Sequence, residues 1–176
     1  MAGENPMRSA FASTVILFAI LLPAAASAQS ADSSVIAKFK EKDPGMAKVF
    51  ADAHGYAVFP TVAKGAIGIG GARGKGDVFE RGKRIGKATL TQVTLGFQLG
   101  GQAYSEVIFF KDKTALDDFK RGNFEFDAQV SAIALSARAS RDLAYNRGVA
   151  IVTMAKGGLM YEASVGGQKF SYKPAP

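Results

Sequence analysis

From Gly55 onward the sequence consists of short runs of β-branched and aromatic residues, separated by glycines. The chain has 20 glycines and 13 phenylalanines among its 176 residues. Glycine at this density is typical of bulges, tight turns and strongly curved sheets, because it adopts backbone conformations that other residues avoid. We therefore predict a mostly antiparallel sheet that is curved or barrel-like. The runs predict strands at 56–59, 66–72, 77–80, 89–99, 102–110, 132–137, 149–154 and 159–165.

Two glycine pairs predict tight turns in this sheet. The pair at 100–101 separates the two longest predicted strands and suits a hairpin, and the pair at 157–158 joins the last two strands. The sequence also contains a short echo. Residues 99–105 (Leu-Gly-Gly-Gln-Ala-Tyr-Ser) match residues 165–171 (Val-Gly-Gly-Gln-Lys-Phe-Ser) in residue type at all but one position. This echo indicates either two similar turns or a pseudo-repeated edge of the sheet.

Before Gly55 the apolar residues recur every three or four positions, which predicts helices. Two short N-terminal helices are expected, at 33–42 and 44–53, because Asp43 suits an N-cap and Pro44 suits a first helical position. A third helix is predicted mid-chain at 113–120. The predicted fold class is α+β, with a mostly antiparallel sheet, two short N-terminal helices and one mid-chain helix.

Residues 1–28 have the order of a secretory signal peptide. A short polar start precedes an apolar run at 11–22, and Ala26, Ser27 and Ala28 supply the small residues that a signal peptidase reads. Cleavage after Ala28 would leave one domain, 29–176, in the periplasm or secreted. The sequence has no cysteine, so we expect neither disulfides nor a lipoprotein anchor. Any membrane association of the exported domain would then be peripheral.

The charge balance of the chain is basic: 22 lysines and arginines against 15 acidic residues give a net charge of +7. In an exported protein this favours an anionic lipid or membrane surface, or an acidic protein, over nucleic acid. The densest basic cluster is predicted to lie on turns at one end of the sheet and to contact lipid headgroups. Its members are Lys64, Arg73, Lys75, Arg81, Lys83, Arg84 and Lys87. The alternative is a solvated loop whose charge only maintains solubility.

The first predicted helix offers a second candidate contact. Val35, Ile36 and Phe39 form a small apolar face, and lysines alternate with these residues. Such a face is typical of a helix that lies on a membrane surface. The alternative is that the same face packs on the sheet.

No motif in the sequence supports catalysis or cofactor binding. The glycine-rich segment 65–76 is not a phosphate-binding P-loop, because Gly76 follows Lys75 where Ser or Thr is needed. His54 is the only histidine, which excludes a multi-histidine metal site, and the lack of cysteine excludes Cys–His catalysis. Carboxylates such as Glu106 would form a hydrolase pair only if the fold brought two of them together. We expect no enzymatic activity, no metal and no cofactor.

Four segments of the chain resemble the SYLF domain family. The most distinctive is residues 95–106 (Leu-Gly-Phe-Gln-Leu-Gly-Gly-Gln-Ala-Tyr-Ser-Glu), and 55–60 (Gly-Tyr-Ala-Val-Phe-Pro) begins the resemblance. Residues 122–126 (Gly-Asn-Phe-Glu-Phe) and the run at 156–168 complete it. The resemblance covers nearly the whole predicted mature chain, about residues 35–172, and an ordered match of this length is more specific than any single glycine motif.

The resemblance implies lipid binding. Eukaryotic SYLF proteins bind phosphoinositides, those of yeast actin patches also bind and bundle actin, and bacterial members are exported or lipid-anchored envelope proteins. Enzymatic activity is not a hallmark of the family. The resemblance supplies no residue-level lipid site, so the predicted site rests on the basic cluster. A protein-interaction or actin-binding module without lipid specificity is the alternative function.

Overall fold

The computed structural model describes residues 25–67, 69–95, 102–122, 124–125, 132–157 and 167–176. These residues form a mixed α+β fold. Its helices are α1 (Ala25–Lys42), α2 (Met46–Asp52), α3 (Lys113–Lys120) and α4 (Ala139–Asp142). Its strands are β1 (Gly55–Ile67), β2 (Ile69–Glu80), β3 (Lys83–Leu95), β4 (Gln102–Phe110), β5 (Phe124–Glu125), β6 (Ile133–Ala134), β7 (Val149–Lys156) and β8 (Gln168–Pro174).

The eight strands form one sheet in the order β5-β8-β3-β2-β1-β4-β7-β6. Each neighbouring pair is antiparallel except β6 and β7, which run parallel. The centre of the sheet is therefore built from strands that are close in sequence, whereas β8 returns from the C-terminal part of the chain to pair with β3. The α+β class and the mostly antiparallel sheet are confirmed.

The sheet is strongly curved but open. In a flat sheet β8 and β4 would lie about 19 Å apart, because four inter-strand spacings of about 4.8 Å separate them. Here Gln168 of β8 donates a hydrogen bond to Glu106 of β4, with Nε2 and Oε2 3.1 Å apart. Such a contact requires the sheet to curl towards itself, while β5 and β6 remain its two edges. We refer to the inner surface as the concave face and the outer surface as the convex face.

Each face of the sheet is covered by helices over part of its area. On the concave face Phe119 of α3 packs between Phe110 and Phe170, with ring centroids 4.9 and 5.4 Å away. On the convex face α1 and α2 bury Phe39 and Phe50 against the aromatic residues of β1 and β4. The two hydrophobic cores share no residue, because alternate residues of one strand point to opposite faces.

Helix α1 begins at Ala25, eight residues before the predicted start. Its apolar residues Val35 and Phe39 are buried in the convex core. Packing on the sheet is therefore the alternative that the structure confirms, and the predicted contact of this face with a membrane is wrong for the folded domain. No helix in the described part of the chain combines the length and the apolar character needed to span a membrane.

For two elements, the bounds predicted from the sequence agree with the structure at both ends. The predicted strand 102–110 and the predicted helix 113–120 are confirmed as β4 and α3. Helix α3 begins where expected because the Asp112 side chain accepts a hydrogen bond from the Ala115 backbone N–H, at 2.9 Å. The predicted strand at 132–137 shrinks to the two residues of β6.

Other strand predictions were wrong. A single strand at 66–72 is replaced by a reversal of the chain, because Ile67 of β1 pairs with Ile69 of β2. Strand β1 also continues through Pro60, where the register shifts between Val58 and Thr61. A bulge of this kind accommodates a residue that has no N–H to donate. The predicted strand 159–165, the glycine pair at 100–101 and Gly158 lie outside the described residues.

The sequence echo has a structural counterpart. Gln102 and Gln168, which occupy the same position in the two copies, are the first residues of β4 and β8. Tyr104 and Phe170 follow two residues later and both belong to the concave core. The repeated motif therefore begins two strands whose inner side chains meet across the curved sheet.

Candidate functional site

The part of the convex face beyond α1 carries an array of exposed cations. The register aligns β2, β3 and β8, so that Arg73 lies opposite Thr91, which lies opposite Lys169. Lys75, Thr89 and Ser171 form the next row. Side chains two residues apart on a strand share a face, so these rows project from the same side of the sheet. We call this array the basic face; its residues are Arg73, Lys75, Lys87, Lys169 and Lys173, with the hydroxyls of Thr89, Thr91 and Ser171.

Few of these cations are neutralised by the protein. Lys169 lies 3.4 Å from Glu125, and both side chains are largely exposed. Within the described residues, the other four cations form no ion pair. Lys87 lies directly opposite Lys173 on β8 and opposite Asp77 on β2, so one like charge and one opposite charge flank it in the sheet. The basic face is therefore suited to an external anion.

A cleft of about 490 Å³ lies where the basic face meets the N-terminal half of α1. Three lysines, two hydroxyl side chains and two carboxyls line it, together with small apolar groups. The lining residues are Ala31, Asp32, Pro60, Lys75, Gly76, Asp77, Lys87, Ala88, Thr89, Ser171 and Lys173. The cleft thus combines hydrogen-bond donors with acceptors.

The two carboxyls of the cleft form a buried acid pair. Asp32 of α1 is 2% exposed and hydrogen-bonds to Asp77 of β2, which also accepts from Arg84 Nε at 2.6 Å. Burial, and then the neighbouring Asp77 carboxyl, raise the pKa of Asp32 to about 8, although Arg84 and Lys87 oppose the shift. Two carboxyls in contact cannot both be ionised cheaply. The pair therefore retains one proton at neutral pH.

A second polar group is buried inside the concave face. Gln168 Nε2 donates to both Tyr104 Oη and Glu106 Oε2, each at 3.1 Å. Glu106 is completely buried, and this burial raises the pKa of its carboxyl to about 7, against the opposing hydrogen bond from Gln168. Within the described residues no donor reaches Glu106 Oε1 or Gln168 Oε1. We call these three residues the interior polar cluster.

The structure divides the predicted basic cluster. Arg73, Lys75 and Lys87 share the basic face. Arg84 pairs with Asp77, and Lys64 lies opposite Ala72 of the concave core, on the other face.

The remaining two predicted residues lie at the far end of β2 from Arg73. Arg81 is in the β2–β3 turn and Lys83 directly follows that turn. The prediction that the cluster lies on turns is therefore wrong for most of its members, which lie within strands. The binding role of all seven residues stays a prediction.

Sequence reasoning missed Lys169 and Lys173, because no strand was predicted at their position. The signal was present: Lys169, Ser171 and Lys173 alternate with Phe170 and Tyr172, a pattern typical of a strand with one buried face. Asp32 was also missed. It precedes Val35 and Phe39 by three and seven residues, so it occupies the sheet-facing stripe of α1, where a carboxyl is unusual.

Comparison with known proteins identifies the family. The family model described as "Ysc84: Las17-binding protein actin regulator" matches residues 91–174. The chain is also similar to Beta cell expansion factor A of Aeromonas veronii, with 32% identity over 143 residues, which is 80% of this chain and 53% of that protein. The chain thus spans about half the length of this curated relative. The two matches agree with the SYLF-like segments, and the chain belongs to the SYLF (Ysc84) family.

Proposed function

We propose that this protein is a non-enzymatic binding domain that attaches to anionic membrane surfaces through the basic face. The observation that carries the proposal is the alignment of five cations on one exposed side of β2, β3 and β8, four of which form no ion pair within the described residues. A sheet face is a broad, rigid surface. It can present all of these side chains to a plane of headgroups at the same time.

The expected driving force is electrostatic. A lysine or arginine near an anionic membrane contributes about 1 kcal/mol, and the attraction falls off within a Debye length of about 8 Å at physiological salt. Val93, two residues beyond Thr91 on the same side of β3, is 74% exposed. Its apolar side chain would add contact with the acyl boundary once the cations have docked.

Vesicle sedimentation tests the proposal. The double variant Lys75→Glu/Lys173→Glu should bind phosphatidylglycerol vesicles about a hundredfold more weakly than the wild type, since two attractive charges become repulsive. The matched control is Lys83→Glu/Lys111→Glu, which changes the net charge equally at two exposed positions away from the basic face. The control should retain most of the binding, and wild-type binding should weaken steeply with salt.

Two results would contradict the proposal. Equal loss in both double variants would mean that net charge alone, rather than the basic face, attracts the protein to vesicles. Binding that does not depend on salt would exclude an electrostatic mechanism altogether. Because the control includes Lys83, the same experiment also separates the basic face from the turn that the sequence suggested.

The proposal includes export. The signal-peptide pattern at 1–28 supports a mature protein in the periplasm or secreted fraction, with peripheral membrane association. Mass spectrometry of the protein from the producing cells should find Gln29 as the N-terminal residue. A retained Met1 would contradict it.

A second candidate is a protein-interaction module of the actin-regulator type, which the description of the matching family favours. The basic face would then contact an acidic protein surface instead of lipid. Cosedimentation with actin filaments in the absence of lipid, lost in Lys75→Glu/Lys173→Glu, would support this function. If vesicles and not filaments retain the protein, this second candidate is wrong.

A further inference from the structure

We propose that the cleft between α1 and the basic face is a specific site for a phosphate ester that carries free hydroxyl groups, such as a glycerophosphate headgroup. The lysines would hold the phosphate, and the acid pair would accept hydrogen bonds from the hydroxyls. This inference rests on the proposed function, because the basic face brings the cleft to the membrane surface. It adds a preference for one headgroup chemistry to a general attraction between charges.

The phosphate half of the site is formed by the sheet. Lys87 and Lys173 lie opposite each other, and Lys75 lies in the adjoining row with Thr89 and Ser171. All five side chains line the cleft. Hydrogen bonds from ammonium groups to phosphate oxygens are charge-assisted and roughly twice as strong as bonds between neutral groups, and the two hydroxyls add neutral donors.

The hydroxyl half of the site is formed by the acid pair. Asp32 is buried, yet no N–H or hydroxyl donor of the described residues reaches its Oδ2. An unsatisfied buried acceptor costs free energy, so a ligand that donates to it gains that amount on binding. A phosphodiester without hydroxyl groups, such as the phosphatidylmethanol headgroup, supplies no such donor and would only bring negative charge towards the carboxyls. The cleft therefore favours a phosphate whose ester group carries donors.

The charge balance of the cleft favours hydroxyls over an ammonium group as those donors. Three lysines line it, whereas the acid pair shares one proton and carries a single negative charge at neutral pH. A ligand ammonium would thus enter a region that is already positive. A neutral polyol meets no such repulsion. A volume of about 490 Å³ is ample for a glycerophosphate group.

Three vesicle compositions test the inference, because phosphatidylglycerol, phosphatidylmethanol and phosphatidylserine each carry one net negative charge. The wild type should bind phosphatidylglycerol about threefold to tenfold more tightly than phosphatidylmethanol, the range expected for one or two hydrogen bonds. Phosphatidylserine should show no advantage over phosphatidylmethanol. Equal binding to all three would overturn the inference and leave the proposed function intact. Absence of binding to all three would overturn the proposed function.

Variants at Asp32 test whether the acid pair is responsible. Asp32→Leu removes the acceptor and extends the apolar stripe of α1, so the preference for phosphatidylglycerol over phosphatidylmethanol should disappear. Asp32→Ala removes the same carboxyl without adding a bulky side chain. It should also lose the preference, which shows that the loss in Asp32→Leu does not come from leucine filling the cleft. Asp142→Asn, an exposed acid on α4, is the control and should keep the preference. A preference that survives both Asp32 variants would overturn the inference.

Soluble ligands distinguish a lipid-bound headgroup from a free ester. Glycerol phosphate and methyl phosphate, which has no polyol hydroxyls, are titrated against the wild type while backbone amide resonances of 75–77 and 87–89 are followed by NMR. Shifts with glycerol phosphate at lower concentration than with methyl phosphate support the site and make the free ester a ligand. Preference for phosphatidylglycerol vesicles without such shifts supports the site for membrane-bound headgroups only. If the protein prefers the polyol headgroup neither on vesicles nor among the soluble esters, the inference is wrong.

Discussion

The two faces of the curved sheet carry polar residues under opposite conditions. On the convex side, the basic face places its cations in solvent, where each keeps its hydration. On the concave side, the interior polar cluster of Tyr104, Glu106 and Gln168 is almost completely removed from water. Both sets arise from the same alternation of side chains along β4, β8 and their neighbours, so a shift of one residue in register would exchange them.

This difference in solvent exposure indicates what each set of polar residues does. Exposed charges contribute little to folding, so their alignment is free to follow a binding function. Buried polar groups oppose folding unless they are paired. In the interior polar cluster, the bonds from Gln168 join β8 to β4 across the curl of the sheet. The cluster therefore specifies how far the sheet closes, and it does so at a cost in stability.

The largest expected effect concerns the curl itself. A Cβ at Gly76 of β2 would lie far inside van der Waals contact with the backbone carbonyl oxygen of Val58. Backbone cannot move aside as a flexible side chain can, so Gly76→Ala should lower the free energy of unfolding by about 3 kcal/mol. Chemical denaturation measures the change. Gly65→Ala is the control, because its Cβ would meet no atom within 4 Å; equal effects at both positions would show that the curl is not tightly packed here.

A smaller effect is expected for Glu106→Gln, and it should depend on pH. The folded-state pKa of about 7 is above the ordinary 4.5, so the folded protein binds the proton more tightly than the unfolded chain. Glu106 should therefore lower the stability of the wild type as the pH rises from about 4.5 through 7. Glu106→Gln should lack this contribution and keep the separate one from Asp32, whose folded-state pKa of about 8 is also raised. At pH 8 the variant should be more stable by about 2 kcal/mol, after allowing for its extra amide donors.

Denaturation curves at pH 5 and pH 8 measure this difference. Glu125→Gln, at an exposed carboxylate on β5, provides the control and should show no comparable gain at pH 8. If Glu106→Gln destabilised the protein at pH 8, the Glu106 carboxylate would have to receive hydrogen bonds that outweigh the cost of burying its charge. The cost assigned to the concave side would then be wrong.

The smallest effect on folding is expected for the basic face. Lys169→Ala and Lys173→Ala should each change the free energy of unfolding by less than about 0.5 kcal/mol, since both side chains are exposed. The same variants should weaken binding to anionic vesicles several-fold. Thermal melts and vesicle sedimentation of the same samples separate the two properties. A loss of stability as large as that of Gly76→Ala would remove the contrast between the two faces.

Part of the fold was predictable because its signals are local. The apolar spacing of Leu116 and Phe119 predicted α3, and the run of β-branched and aromatic residues at 102–110 predicted β4. The reversal between Ile67 and Ile69 was not predictable in the same way. The reversal falls inside a glycine-rich run that is equally consistent with one continuous strand, since glycine is compatible with a strand and with a turn.

The candidate site was predictable only in part for a related reason. Arg73, Lys75 and Lys87 belong to a cluster that is visible in the sequence, but so do Arg84 and Lys64, which the fold removes from it. Arg84 is excluded because Asp77 neutralises its charge. Lys64 is excluded because its position on β1 lies opposite Ala72, on the concave face. Neither exclusion can be derived from the spacing of lysines and arginines alone.

The sequence by itself determined the basic charge, the mixture of helices and glycine-rich strands, and membership of the SYLF family. Only the tertiary structure decided which cations act together. Lys169 and Lys173 join Arg73 and Lys75 because β8 pairs with β3, across a separation of about 80 residues along the chain. Asp32 meets Asp77 because α1 packs across the convex side of the sheet. Strand pairing and packing bring distant residues together through interactions that span the whole chain, and no local pattern records their partners.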